Sequence, residues 1–232
     1  MVLVEPEGRI NMGFVLRLAR NFGVKDLCVV RPKFDVRDPE VLSFAARGSE
    51  LVDYVNVVAS LDECLKDSEL TVCTTAVYSE ESDPLRQSIT LSYLSILAGH
   101  LNELTLVFGR ESVGLTRSEL SKCDLIMTIE VGSDYNVLNL SHAVAITLYE
   151  LSKPLKRNLV YGELISKEYI NYILRYIKEI ATAVGMNPEN AEVTLRHVLC
   201  RSVLTKVEGR ILYRLFKDVY HTLRTCTEVR PS

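Results

Sequence analysis

Six short apolar runs recur through the first half of this chain, at residues 1–4, 27–30, 54–58, 70–74, 104–108 and 125–129, and helix-patterned segments separate them. The runs are mostly β-branched and apolar along their whole length rather than at every second residue, the pattern of strands covered on both faces. Short buried strands alternating with helices leave one economical arrangement, a parallel sheet with helices on both of its faces. Local signals mark the helix ends. Gly23 is a stop for the first helix, Asp38 caps a second with Pro39 at its first position, and Thr116 with Glu119 forms a capping box. Leu140, Val144, Leu148 and Leu151 give a later helix one apolar face.

The pattern changes after residue 152. Pro154 breaks the preceding helix, so residues 1–152 read as one α/β domain, 153–162 as a linker and 163–232 as a helical extension. In the extension, Tyr169, Ile173, Tyr176, Ile177, Ile180 and Val184 lie on one amphipathic helix that Gly185 ends. Asn187-Pro188 opens a second. A third runs from about Lys206 to Leu223, with Ile211, Leu212, Leu215, Phe216, Val219 and Leu223 as its apolar side. Charge divides at the same place. Residues 1–152 hold 13 Lys and Arg against 22 Asp and Glu, a balance of −9, and residues 153–232 hold 14 against 8, a balance of +6. That asymmetry suggests chemistry in front and attraction of phosphate behind.

No apolar run approaches the ~20 residues of a membrane span, and the opening MVLVEPEGRI is too short to serve as a secretory core, so a soluble, cytoplasmic protein is expected. The six cysteines, Cys28, Cys64, Cys73, Cys123, Cys200 and Cys226, form no C-x-x-C pair and read as reduced thiols. The four histidines are equally dispersed, and no metal site is expected.

Three segments carry chemistry: NMGFVLR at 11–17, FGRESVGLT at 108–116 and YNVLNLSHAV at 135–144. Taken singly, each has an ordinary reading. Asn11 suits a helix N-cap, Arg17 a solvated helix charge, Gly109 and Gly114 strand-exit turns, and Glu111 an exposed loop acid. In the extension, Lys206, Arg210, Arg214, Lys217, His221 and Arg224 follow at intervals of 4, 4, 3, 4 and 3. This spacing puts them on one helix face about 27 Å long, which is either a solvated surface or a track for a phosphate backbone.

In order and spacing the three segments resemble the signature motifs of the SpoU/TrmH family of RNA ribose 2′-O-methyltransferases, within the SPOUT superfamily. The spelling of the second and third is similar to the archaeal TrmJ-like branch, which acts on nucleotide 32 of the tRNA anticodon loop. The resemblance covers residues 1–152. It implies a trefoil-knotted chain, a threading that physical reasoning alone would reject, and it implies a homodimer whose RNA site draws on both chains. It further implies S-adenosylmethionine as methyl donor, held in a bent shape by Thr74, Thr75 and Ala76, by Gly109, and by Ile129 with Asn136, Val137 and Leu138. Arg17 corresponds to the residue that positions the RNA, Asn11 to the one that orients it, and Glu111 and Asn139 to polar supports of the site. RNA contacts are assigned to Arg17, Arg210, Arg214 and Lys217. Val137 stands where many members have Ser, a feature of the subgroup, and His142 reads as a packing or interface residue. Two alternatives stay open: methylation of another tRNA position or of rRNA, and an RNA-binding dimer without catalysis.

Overall fold

The computed structural model describes residues 1–76, 83, 85, 87–133, 135–153 and 163–228, with side chains through residue 225. It divides into two compact units, Met1–Leu155 and Lys156–Ser232. Apart from Lys153, the expected linker lies outside the described residues, Pro154 included.

The first unit runs β1 (Val2–Val4), α1 (Arg9–Phe22), β2 (Leu27–Val30), α2 (Pro39–Ala45), a 3₁₀ segment (Ala46–Tyr54), β3 (Val55–Val58), α3 (Leu61–Leu65), β4 (Thr71–Thr75), β5 (Ile89–Thr90), α4 (Leu91–Ala98), β6 (Thr105–Phe108), α5 (Arg117–Leu120), β7 (Leu125–Thr128) and α6 (Leu140–Ser152). All seven strands join one parallel sheet in the order β3-β2-β1-β6-β4-β7-β5. Every residue of β1, β6 and β7 is buried, which requires cover on both faces of the sheet centre. The strand missed by sequence pattern is β5, whose two residues are too few to show any periodicity.

Helix ends follow the chemistry of the chain. Gly23 closes α1 at φ +66°, Asp38 caps α2 by accepting the amide of Glu40, and Thr116 and Glu119 make the capping box of α5. Asn11, which suited an N-cap, is not one. Helix α1 starts earlier, with Gly8 at the cap, and Asn11 sits inside its first turn with its side chain free for other work. Two glycines let α1 seat closely on its neighbours. A Cβ on Gly13 would meet the Val41 carbonyl at 2.6 Å, and one on Gly48 would meet the α1 backbone at Leu16 and Arg17 at 2.6 Å. A buried pair joins β4 to the start of β7, since the Asp124 carboxylate accepts the Thr71 amide at 2.9 Å and its hydroxyl at 2.7 Å.

The expectation of reduced thiols fails at four of the six cysteines. Cys28 bonds Cys64 and Cys73 bonds Cys123, across 36 and 50 residues of chain. Such separations form no local motif, so nothing in the spacing reveals the pairs. The sheet brings them together: Cys28 lies on β2 with Cys64 on α3, and Cys73 on β4 with Cys123 just before β7. Cys200 keeps its thiol, and the side chain of Cys226 lies outside the described residues.

The second unit is α7 (Lys167–Ala183), α8 (Pro188–Arg201) and α9 (Lys206–Glu228). Asn187 caps α8 with Pro188 at its first position, and Gly185 follows α7 at φ +76°. Ile170, Ile173, Leu174, Ile177 and Leu199 make its core. The apolar residues of α9 do not form a single buried side. Leu212, Tyr213 and Phe216 pack on that core, whereas Val207, Ile211, Leu215 and Val219 are 37–65% exposed. Ile211 and Leu215 each precede a core-facing residue by one position, about 100° around the helix, which puts this second set off the core face.

Candidate functional site

The C-terminal ends of β6, β4 and β7 lie side by side in the sheet. In a parallel sheet this edge is where ligands bind, in the crevice formed by the loops that leave the strands. A cavity of about 380 Å³ opens there. Its walls include Thr74, Thr75 and Ala76 from β4, Gly109 after β6, Ile129 after β7, and Asn136, Val137 and Leu138 before α6. All eight residues assigned to a donor pocket by resemblance therefore line one cavity. Val137 is half exposed at its wall, and the Asn136 amide donates to the Ala76 carbonyl at 2.6 Å, tying the loop before α6 to the end of β4.

The loop after β6 explains its glycines. Arg110 and Gly114 pair across it through both backbone bonds, at 2.9 and 3.3 Å. A Cβ on Gly109 would lie 2.3 Å from the Gly114 carbonyl carbon, and Gly114 holds φ +68°. These positions need glycine because backbone crosses backbone there, a stronger demand than a strand-exit turn makes.

Beside the cavity, three of the four residues assigned to catalysis form one hydrogen-bonded chain. Glu111 accepts the Glu7 amide at 2.9 Å, the Gly8 amide at 3.0 Å and the Asn11 side-chain amide at 2.8 Å. Asn139 donates to the Asn11 carbonyl oxygen at 3.0 Å, and its own oxygen accepts the amide and hydroxyl of Ser141 at 2.9 and 2.7 Å, capping α6. The direction is fixed at both ends, because an ionised carboxylate only accepts and a backbone amide only donates. Both Asn side chains thus have one permitted orientation. Glu7 returns the favour of Glu111, accepting the amide and hydroxyl of Ser112 at 3.1 and 2.9 Å, so the loops after β1 and β6 clasp each other.

Arg17 does not join this chain. It lies six residues beyond Asn11 on α1, roughly 120° around the helix and about 9 Å along it. Its side chain is exposed and makes no hydrogen bond or ion pair among the described residues, on the same face as the exposed Ile10 and Phe14. His142 is likewise exposed.

A group that sequence reasoning missed holds the cavity loop in place. Arg110 is paired through both terminal nitrogens with Glu119, at 2.9 Å each, and its Nε donates to Glu5 at 3.0 Å. Arg110, Glu5 and Glu119 side chains are only 10–14% exposed. Arg110, with Lys33 and Arg31 beside it, lowers the Glu5 pKa to about 2. Burial pushes Glu119 upward, but the Arg110 fork and the Thr116 amide outweigh it and leave the pKa below its usual value. The capping box was legible; the third partner, 105 residues away at Glu5, was not.

In the second unit, Arg210 and Arg214 are exposed on α9 and Lys217 is half-buried. Arg214 pairs loosely with Asp218 at 3.9 Å, Lys206 pairs with Glu163, and Arg210 and Lys217 make no hydrogen bond among the described residues. Among the described residues no group of three or more His, Cys, Asp or Glu is placed to hold a metal, and no helix is long and apolar enough to cross a membrane.

Known proteins are similar to this chain over most of its length. A tRNA (cytidine-2′-O-)-methyltransferase TrmJ of Sulfolobus acidocaldarius is 36% identical, over 95% of this chain and 92% of its own length. The TrmJ of Methanocaldococcus jannaschii is 29% identical over 94% and 97%. Among solved structures, a probable methylase family protein from Haemophilus influenzae Rd KW20 superimposes with a TM-score of 0.66 at 26% identity, covering 97% of both chains. Residues 1–149, which contain the cavity, the polar chain and Arg17, match the model of the SpoU rRNA Methylase family. The chain belongs to that family.

Proposed function

We propose that this protein transfers a methyl group from S-adenosylmethionine to a ribose 2′-hydroxyl of tRNA, at nucleotide 32 of the anticodon loop, and that it works in the cytoplasm as a homodimer. The observation that carries this reading is the convergence of Thr74–Ala76, Gly109, Ile129 and Asn136–Leu138 on one cavity next to the Asn11–Glu111–Asn139 chain. The relatives named above, which are tRNA 2′-O-methyltransferases over nearly their whole length, support the substrate.

The cavity suits the donor. Its size lies in the range of small-molecule sites, and its walls are mainly apolar side chains, small residues and strand-end backbone. When bound, S-adenosylmethionine supplies an electrophilic methyl group. The protein has to hold the hydroxyl and its flanking phosphate in line with that group, which is catalysis by position. Arg17 fits the phosphate, since a guanidinium presents a planar fork for bidentate contact and keeps its proton, so it is assigned positioning and polarisation rather than proton removal. The Asn11–Glu111–Asn139 chain locks the first turns of α1 and α6 against the donor loop.

Because Arg17 is exposed and does not line its own cavity, a second chain completes the site in this reading. The surface around it is suited to that. Ile10 and Phe14 on α1, and Ile146 and Tyr149 on α6, are 37–59% exposed, and α1 and α6 pack against each other. A patch of this kind calls for a partner. The trefoil threading of residues 1–152 and the RNA contacts of Arg210, Arg214 and Lys217 belong to the same proposal.

Unmodified tRNA transcripts incubated with labelled S-adenosylmethionine, digested and mapped by mass spectrometry, test it. A 2′-O-methyl at nucleotide 32 is expected. Label at another tRNA nucleotide would correct the position. Label in rRNA alone would favour the second reading, which the description of the matching family model supports, and no transfer to either RNA would leave a non-catalytic binding dimer.

A further inference from the structure

The second unit carries an unusual run of aromatic rings. Tyr172, Tyr169, Tyr213, Tyr176, Tyr220 and His221 form a continuous row across α7 and α9, with successive ring centroids 6.4, 5.3, 5.6, 5.5 and 5.3 Å apart. Five of the chain's 11 tyrosines are in it. Apart from Tyr213, which packs on it, the row lies outside the core filled by Ile170, Ile173, Leu174, Ile177 and Leu199. Tyr169, Tyr176, Tyr213 and Tyr220 are half-buried, Tyr172 is 42% exposed and His221 is exposed. A seam that served packing alone would be satisfied by leucine or phenylalanine; here every ring but that of His221 carries a hydroxyl at its edge.

Cations border the row. Lys217 and Arg224 follow Tyr213 and Tyr220 by four residues, the spacing of neighbours on a helix surface. The Arg224 guanidinium lies 5.7 Å from the Tyr220 ring centroid and donates to its hydroxyl at 3.0 Å. Arg175 adjoins Tyr176 in sequence, and Glu168 is the acid on this edge, accepting from the Tyr172 hydroxyl at 3.0 Å. The other uncovered flank of α9 is different in kind. It is aliphatic, built from Val207, Ile211, Leu215 and Val219, with Asp218 among them. Aliphatic surface suits a protein partner, whereas aromatic rings interleaved with Lys and Arg suit unpaired bases and their phosphates.

From this contrast we infer that the tyrosine row of α7 and α9 is a stacking surface for unpaired bases of an RNA loop, with Arg224 and Lys217 holding the adjoining phosphates. The inference rests on the RNA reading above and extends it from phosphate attraction to recognition of single-stranded bases. It makes this unit a discriminator between looped and fully paired RNA, which a cationic stripe alone is not.

The test uses the full chain, an unmodified anticodon stem–loop transcript, and a fully paired hairpin of equal length. Tyr172→Leu and Tyr220→Leu keep apolar volume and remove the rings; Tyr→Phe at the same sites keeps the rings. Affinity for the stem–loop should fall by about five- to a hundredfold per stacked base in the Leu variants and be retained in the Phe variants, while the salt slope and the affinity for the paired hairpin stay as they were. Undiminished stem–loop affinity in folded Leu variants, or equal loss for both RNAs, overturns the inference, and lost dimerisation with intact RNA binding reassigns the row to a protein contact. A second measurement needs no variant. The chain has no tryptophan, so its emission is that of tyrosine. The stem–loop should quench it and polyphosphate should not; no quenching beyond the inner-filter correction also overturns the idea. If the wild type methylates tRNA while these signs are absent, only the stacking surface is lost. If it binds no RNA at all, the function itself is wrong.

Discussion

Arginine does opposite work in the two units. In the first, Arg110 is sunk between Glu5 and Glu119, with every strong bond directed inward to hold the loop after β6 against the cavity. In the second, Arg210 and Arg214 project from α9 with one loose ion pair between them. The same contrast extends to the rest of each unit. The first is tied by two disulfides, a buried Asp124–Thr71 pair and the Glu7–Ser112 clasp. The second presents cations, tyrosines and an aliphatic flank outward. Charge that is paired internally shapes a site for a small donor; charge left unpaired on a helix is available to a polyanion.

Reduction of the disulfides should break this contrast most strongly. Bridges closing 36 and 50 residues contribute about 4 kcal/mol each in the chain-entropy treatment. Under reducing conditions, hydrogen exchange should rise within residues 1–155 and hardly change in 163–228. An equal rise in both units would show that the bridges do not stabilise the first unit selectively.

The next effect is catalytic. Arg17→Ala should lower kcat by about 10²–10³-fold, the size seen when one charge-stabilising group is lost, and leave S-adenosylmethionine affinity nearly unchanged, because Arg17 lies outside the donor cavity. Calorimetry showing a parallel loss of donor binding would place it on the wrong side of the site. Arg110→Met should have the reverse character. It removes the guanidinium partner of Glu119 and one of the three cations on Glu5, costs about 3 kcal/mol in stability, and weakens donor binding by loosening the loop.

Arg110 also sets a pH dependence. A carboxylate whose pKa is lower folded than unfolded adds stability that is complete above the unfolded value and disappears as pH falls through the folded one. For Glu5 that window runs from 4.5 down to about 2, and Glu119 shifts in the same direction. Acid unfolding of the wild type should therefore steepen below pH 4.5. In Arg110→Met the slope should shrink without vanishing, since Lys33 and Arg31 still hold Glu5; an unchanged slope would remove the cluster from the stability of the unit.

Much of this was legible in the chain. Apolar, mostly β-branched runs marked six of the seven strands, though β3, at the sheet edge, is not buried as its run suggested, and the caps at Asp38, Thr116 and Asn187 fell where side-chain oxygens meet free amides. Eight of the residues that line the cavity were marked out by resemblance to known motifs, with no need to know the fold. What stayed hidden depends on contacts remote in sequence or on angular position. The Glu5–Arg110 bond spans 105 residues. The disulfides have no spacing to betray them, and the division of α9 into a core face and an uncovered aliphatic flank follows from the 100° between adjacent residues, which a list of apolar residues does not display. The position of Arg17 away from Asn11 was implicit in their spacing, because six residues do not return to the same side of a helix.

The division of labour between the two units is tested most directly by one titration series on Arg210→Gln/Arg214→Gln/Lys217→Gln. tRNA binding is measured as a function of salt and S-adenosylmethionine binding at a single salt. Loss of three phosphate contacts should reduce the slope of log K against log salt by roughly two to three, and donor affinity should match the wild type. An unchanged slope, or a donor affinity that falls with the RNA affinity, would contradict the assignment of donor chemistry to the first unit and RNA capture to the second.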